Sequence, residues 1–170
     1  LHDFVAWRED LRSVEDLGAF RILERNLVLG EERADPVAVA EISASAFRVA
    51  RVRPLLGRPL FEADETAGAP SVVVIGHDVW RTRFGSDANV IGRTVHLGSA
   101  PSTVVGVMPE GFAFPVAHSF WIPFRLNALE HERRQGPSIQ TFGRLAPGVT
   151  LDQARTELAA LGARAADAFP

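Results

Sequence analysis

Apolar residues follow two rhythms along this 170-residue chain. Phe4, Trp7 and Leu11 recur at helical spacing with Arg8, Glu9, Asp10 and Arg12 among them, which predicts an amphipathic helix at the start. Ser13 can cap a second short helix over "VEDLGAF", stopping near Gly18. "RILERNLVLG" and "DPVAVAEIS" then read as strands, separated by the breaker-rich turn "GEERADP". Ser43 or Ser45 can cap a short helix through Phe47, and Pro54 forbids its continuation. "RPLLGRPLFEADETAGAP" is a connection punctuated by proline and glycine, and a plausible subdomain boundary.

The second half is more strongly marked. Ser71–Ile75 carries four apolar residues in a row and reads as a buried strand. "DVWRTRFG" follows as a short helix with Gly85 as its stop. In "GRTVHLGSAPSTVVGVM" the polar Thr94, His96 and Ser99 alternate with Val95 and Leu97, and residues 98–101 supply the turn of a hairpin. "PEGFAFPVAHSFWIPF" is rich in aromatic residues and proline and reads as irregular but well packed. "LNALEHERRQGPS" is a charged loop, and "IQTFGRLAPG" a final strand. Thr150 and Gln153 form a capping box for the longest helix, whose stripe is Leu151, Ala154, Leu158 and Leu161. No repeat of fixed period is present.

Composition narrows the chemistry. With 46% hydrophobic and 23% charged residues the chain is globular, and a net charge of -3 gives no general attraction to nucleic acid. There is no cysteine, which excludes disulfides, thiolate nucleophiles and Cys-type zinc sites within this chain. All eighteen basic residues are arginine, so neither a P-loop nor Schiff-base chemistry has its lysine. No apolar run reaches the ~20 residues of a membrane span. The chain opens without a methionine or a signal peptide, as expected of a piece from a longer protein.

Three groups of side chains invite a functional reading. His77 and Asp78 stand side by side at a strand-to-helix turn, but no nucleophile elbow accompanies them. His2, His77, His96, His118 and His131 form no H-x-x-x-H pair. Asp78 is expected to serve the free N–H groups of a helix start. Glu62, Asp64 and Glu65 lack the alternation of a calcium loop and read as a solvated loop. So does the mixed-sign run Glu130, His131, Glu132, Arg133 and Arg134. Phe112, Phe114, Phe120, Trp121 and Phe124 are the densest aromatic cluster, read as core packing around proline bends, with a ligand cavity as the other option.

"HDFVAWREDLRSVEDLGAF", "ISASAFRVARVRPLLGRPLFEADE", "PSVVVIGHDVWRTRFGSDANVIGRTVHLGSAPSTVVGVMPEGFAFP" and "FGRLAPGVTLDQARTELAAL" occur in this order. Together they resemble the periplasmic core domain of MacB-like ABC transporter permeases, in the FtsX-like group, over nearly the whole chain. Gly76-His77-Asp78 and the Gly-Ser-Ala turn depart from the family's usual residues while keeping cap and turn chemistry. A strand that usually precedes the first helix is not in this segment.

The resemblance implies an α+β fold. A porter-like subdomain would be built from both chain ends, residues 1–60 plus 138–170, with an inserted smaller strand-rich subdomain at 61–137. It makes Trp80 and Phe84 core anchors of their helix and leaves His77-Asp78 as a helix start. The implied role is that of a non-catalytic periplasmic domain of a permease in the cytoplasmic membrane. Such a domain couples membrane-helix movement to substrate export or to a periplasmic partner. No catalytic, cofactor-binding or metal-ligating residue and no cofactor is assigned. A separate ATP-binding subunit would act through the membrane part of the parent, with one apolar span expected before Leu1 and about three after Pro170. The isolated chain is expected to be a monomer and the parent a dimer. "FEADETAGA" and "NALEHERRQGPS" are the candidate partner loops. The alternatives are a stand-alone extracytoplasmic ligand-binding module built on Phe112–Phe124, and a hydrolase.

Overall fold

A computed structural model describes residues 1–29, 34–133 and 135–169. Helix α1 (His2–Asp10) leads into a long strand, β1 (Val14–Val28), and then β2 (Asp35–Ile42) and α2 (Ala44–Ala50). Short elements β3 (Leu56–Gly57) and α3 (Glu62–Glu65) precede β4 (Val72–Ile75) and α4 (His77–Phe84). The hairpin β5 (Thr94–Leu97) and β6 (Ala100–Val107) follows. Then come β7 (Phe120–Pro123), β8 (Gln140–Leu145) and α5 (Leu151–Ala168). Residues 30–33 of the expected "GEERADP" turn lie outside the described residues.

Every strand belongs to one mixed sheet. β1 is antiparallel to β2 over Phe20–Leu27, to β8 over Val14–Phe20, and to β5 at Leu27 and Val28. β2 runs parallel to β7, and β4 lies between β7 and β6. Following the ladder from β1 through β2, β7, β4, β6 and β5 returns to β1, so the pairing closes on itself. Each strand of that circuit contributes to one interior core: Leu27, Val39, Phe120, Val73, Ile75, Val104 and Val95 are all buried in it. The opposite face carries a second core, where Phe20, Ala40, Ile42, Val72, Val74 and Trp121 meet Ala46 and Phe47 of α2. This two-sided burial is why β4 reads as four consecutive apolar residues.

Local signals place several elements where the sequence predicts them. Gly85 ends α4 in the left-handed region at φ 59°, and the Thr150–Gln153 capping box starts α5. The hairpin turn is narrower than expected: Leu97 pairs with Ala100, so Gly98 and Ser99 alone make it, and Pro101 is already in β6.

Three expectations are corrected. "VEDLGAF" is strand, not helix, because the first half of β1 gains a ladder with β8, more than a hundred residues away. Gly18 is not a helix stop; a Cβ there would lie 2.8 Å from the Phe142 ring and 3.0 Å from the Ala46 backbone. Within the segment read as irregular, residues 120–123 form β7, a central strand of the sheet. Finally, the stripe of α5 is mostly exposed: only Leu161 is buried, while Leu151 and Leu158 face outward. Glu157 anchors the helix instead, its two carboxylate oxygens accepting the Arg12 N–H at 2.9 Å and the Ser13 N–H at 2.8 Å.

Candidate functional site

His77 and Asp78 open α4 directly beyond the buried end of β4, with Gly76 as the cap residue. The His77 ring meets Trp80 edge-on at 5.5 Å between centroids. The Asp78 carboxylate is 75% exposed and lies 3.8 Å from Arg81. The Thr82 hydroxyl donates to the Asp78 backbone carbonyl at 2.7 Å, an ordinary bond within the helix and not one to either side chain, and among the described residues no group of three His, Asp or Glu could hold a metal ion. Trp80 and Phe84 pack against the interior core, and Trp80 Nε1 donates to the Asp87 carbonyl at 2.8 Å. Gly76 is the cap and no side chain bonds the free N–H groups of α4, so replacing His77 and Asp78 together by alanine is expected to lower stability by at most about 1 kcal/mol, the scale of one acidic residue at a helix start. Urea unfolding measures this, and elemental analysis of the purified protein is expected to find no transition metal at His77.

The acidic cluster is a correction. Glu62, Asp64 and Glu65 do not form a solvated loop but a one-turn helix, and each carboxylate goes to a different partner. Glu62 bonds Arg48 at 3.2 Å. Asp64 is buried, bonds both Arg58 guanidinium nitrogens at 2.6 and 2.9 Å, and accepts the Phe61 N–H at 2.7 Å. The Arg58 guanidinium holds the Asp64 carboxyl below its usual value. Glu65 accepts the Ala44 N–H at the start of α2, and burial pushes its carboxyl up against that bond. Divergent carboxylates of this kind staple α3 to α2; they do not converge on a cation. Ser43 can leave the capping of α2 to Glu65, because its hydroxyl accepts the Ala19 N–H at 3.0 Å and pairs with Ser45 at 2.8 Å.

The charged loop around residue 130 is exposed. Leu129 stands 91% exposed at its tip, and Arg133 reaches back to Asp3 at 3.0 Å; Arg134 lies outside the described residues.

The aromatic cluster is divided among the cores by the alternation of β7. Trp121 enters the α2-side core, in edge contact with Phe112 at 5.3 Å, and its Nε1 donates to the Phe114 carbonyl at 3.0 Å. Phe120 enters the interior core, and Phe124 packs on Phe4 of α1 at 6.0 Å. Only the part-exposed edges of Phe112 and Phe114 border a shallow groove beside β8.

A larger open groove, 980 Å³, runs beside α2 and was not anticipated. Phe47, Val52 and Phe61 line it together with Arg48, Arg51, Arg53 and Arg58. The signal was present in the sequence as four arginines within residues 48–58 and no acidic residue among them. Arg48, Arg51 and Arg58 are neutralised by Asp16, Glu15 and Asp64, so the groove carries little net charge. A smaller groove, 390 Å³, brings the two chain ends together: Leu1, His2 and Trp7 face Ala165, Ala166 and Phe169 across it.

Comparison with known proteins agrees with this architecture. The family model of the MacB-like periplasmic core domain matches residues 2–161. A probable export ATP-binding/permease protein of Pseudomonas fluorescens is 31% identical over 111 residues, which is 63% of this chain and 17% of the relative. The probable export ATP-binding/permease protein MacB of Pseudomonas entomophila is 31% identical over 90 residues, 51% of this chain and 13% of the relative. The chain thus spans less than a fifth of the length of these curated relatives. Among solved structures, the periplasmic region of MacB from Actinobacillus actinomycetemcomitans superposes with a TM-score of 0.74 at 22% identity, covering 96% of this chain and 72% of that one. The extracellular domain of the ABC-type transporter YknZ from Gram-positive bacteria gives a TM-score of 0.67 at 17% identity, covering 92% and 76%. The structures establish the shared fold and the model match extends over nearly the whole chain, so the protein belongs to the family of MacB-like periplasmic core domains.

Proposed function

We propose that this chain is the extracytoplasmic domain of an export-type ABC permease and that it works without catalysis. In this reading it moves as ATP is bound and hydrolysed by a separate nucleotide-binding partner across the membrane. The movement serves substrate export or a periplasmic partner. One observation carries the proposal: the chain ends meet. Leu1 and Phe169 line a single groove, and the Arg133 guanidinium sits 3.8 Å over the Phe169 ring while bonded to Asp3. β8 pairs along the first half of β1, and Glu157 ties α5 to the turn after α1. With α1 and α5 lying side by side, movement applied to one is passed directly to the other and to β1 and β8. The family is one of transporter periplasmic domains rather than of enzymes, which supports a non-catalytic role.

The grouping of residues 1–60 with 138–170, and of 61–137 as an insert, belongs to the same proposal. The β1–β8 pairing supports the first group. The β2–β7 and β1–β5 pairings carry the insert on the same sheet, which favours transmission of movement through backbone hydrogen bonds. A monomeric isolated chain and a dimeric parent are part of this reading. The ligand-binding alternative finds little support in Phe112–Phe124, whose rings mostly fill cores.

The chain has no cysteine, so Leu129→Cys provides a single reporter thiol on a fully exposed side chain. In intact cells making the full-length parent, freed of any other cysteines, a membrane-impermeant maleimide is expected to label it. Labelling only after lysis would overturn the extracytoplasmic assignment.

A further inference from the structure

His118 stands two residues before β7, where the chain approaches the sheet. Its part-buried imidazole borders a half-open cavity of 310 Å³ between Leu27 of β1, Val37 of β2 and Val79 of α4. Both ring nitrogens are buried, and neither has a hydrogen-bond partner. Arg83 of α4 is the one charged residue lining the cavity among the described residues. Its guanidinium is already bonded to Asp35 of β2 at 2.7 Å, so that carboxylate is engaged elsewhere. β1 contributes only Leu27. The titratable residues at the β4–α4 junction are His77, whose Nδ1 is likewise buried without a partner, and Asp78, whose carboxylate is exposed beside Arg81. Next to His118, the Ser119 carbonyl accepts the Gly76 N–H at 2.8 Å, which ties this segment to the end of β4 and the start of α4.

We infer that His118 is an acid-sensitive pin: its neutral ring seats residues 115–119 against α4 and the β1–β2 pair, and its protonation releases them. An imidazolium in this place finds no carboxylate among the lining residues and has both nitrogens shielded from solvent, so it is accommodated only when the segment opens to water. Burial holds the His118 pKa below its ordinary value. The sign follows from linkage. The open form binds the proton more tightly than the closed form, so closure is fully favoured above the exposed-histidine value of about 6.5 and weakens as pH falls below it. One proton bound on opening raises the opening constant by up to about tenfold per pH unit in that range.

The test is a pH series on this chain, following the histidine ring resonances and the exchange protection of the Gly76 amide, corrected for intrinsic exchange. His118 is expected to titrate below the ordinary value of a solvent-exposed histidine, about 6.5. Protection at Gly76 is expected to fall at least about threefold between pH 7.5 and 5.5, within the limit of one-proton linkage. His118→Gln and His118→Phe are expected to remove that loss, and His77→Gln to keep it. The inference fails if His118 titrates at or above about 6.5, if the His118 variants respond to pH as the parent does, or if the response is lost in His77→Gln. Should neither His118 variant fold, the ring titration of the unaltered chain decides alone.

Discussion

Gly106→Ala is expected to destabilise the protein by about 3 kcal/mol or more, at the upper end of what an added methyl group does in a packed interior. Gly106 lies in β6 opposite Gly57 of β3, so two residues without Cβ atoms face each other. A Cβ on Gly106 would stand 2.1 Å from the Arg58 carbonyl oxygen, and one on Gly57 2.1 Å from the Val105 carbonyl oxygen. Both obstacles are backbone, so no rotamer change relieves them. The strand that would have to move is also the one between β4 and β5 in the closed circuit, so displacement propagates into the interior core. Gly162→Ala is the matching control. It sits within α5 with nothing inside 4 Å of the new methyl, and is expected to stabilise by about 0.5–1 kcal/mol through helix propensity. Urea midpoints of both variants read the contrast; equal shifts would refute the close approach of β3 and β6.

Trp121→Ala is expected to cost about 3–5 kcal/mol, the range for removing a large aromatic from a core. The side chain is 0% exposed. Its backbone pairs on one side with Ala40 of β2 and on the other with Val74 of β4, so the surrounding strands cannot easily collapse into the space left. Loss of the indole also leaves the Phe114 carbonyl without the Nε1–H it accepts at 3.0 Å. Trp121→Phe keeps part of the volume but not the donor, and is expected to fall between the alanine variant and the parent. Chemical unfolding gives the order. Near-ultraviolet circular dichroism shows whether the Phe112–Trp121 edge contact is lost in both variants. A Trp121→Phe variant as unstable as Trp121→Ala would place the whole effect in the hydrogen bond and contradict the packing argument.

Two central strands of the sheet, β4 and β7, differ in how readily they could be foreseen. Val72–Ile75 was identifiable as a buried strand from its four apolar residues; that both its faces are covered came from the structure. β7 was not, because "HSFWIPF" carries a proline and sits among others, and prolines usually mark the absence of a central strand. Pro123 is tolerated as the last residue of the strand, at its pairing with Ile42. The helix expected over "VEDLGAF" failed for a related reason. Its residues suit either element, and the deciding partner, β8, lies far along the chain. The acidic "FEADET" stretch offered composition but no geometry; that Asp64 turns inward to Arg58 depends on how Pro59 and Leu60 place α3 against α2. The stripe of α5 was correctly periodic, yet periodicity does not say whether a face is covered.

By itself, the sequence determined what closes over a few residues: the Gly85 stop of α4, the Thr150–Gln153 box of α5, the β5–β6 hairpin and the alternation within it. It also determined what composition forbids, since a chain without cysteine or lysine cannot hold thiolate, P-loop or Schiff-base chemistry. Its order of motifs was sufficient for the family. Only the tertiary structure decided that residues 14–20 are strand, that β7 divides five aromatic residues among separate cores, and that Gly106 must lack a Cβ. The physical reason is range. Caps and turns satisfy their hydrogen bonds with neighbours along the chain, so their residues announce them. A sheet strand takes its bonds, its facing residue and its burial from segments up to 131 positions away, as Val14 does from Leu145, and nothing in its own residues names that partner.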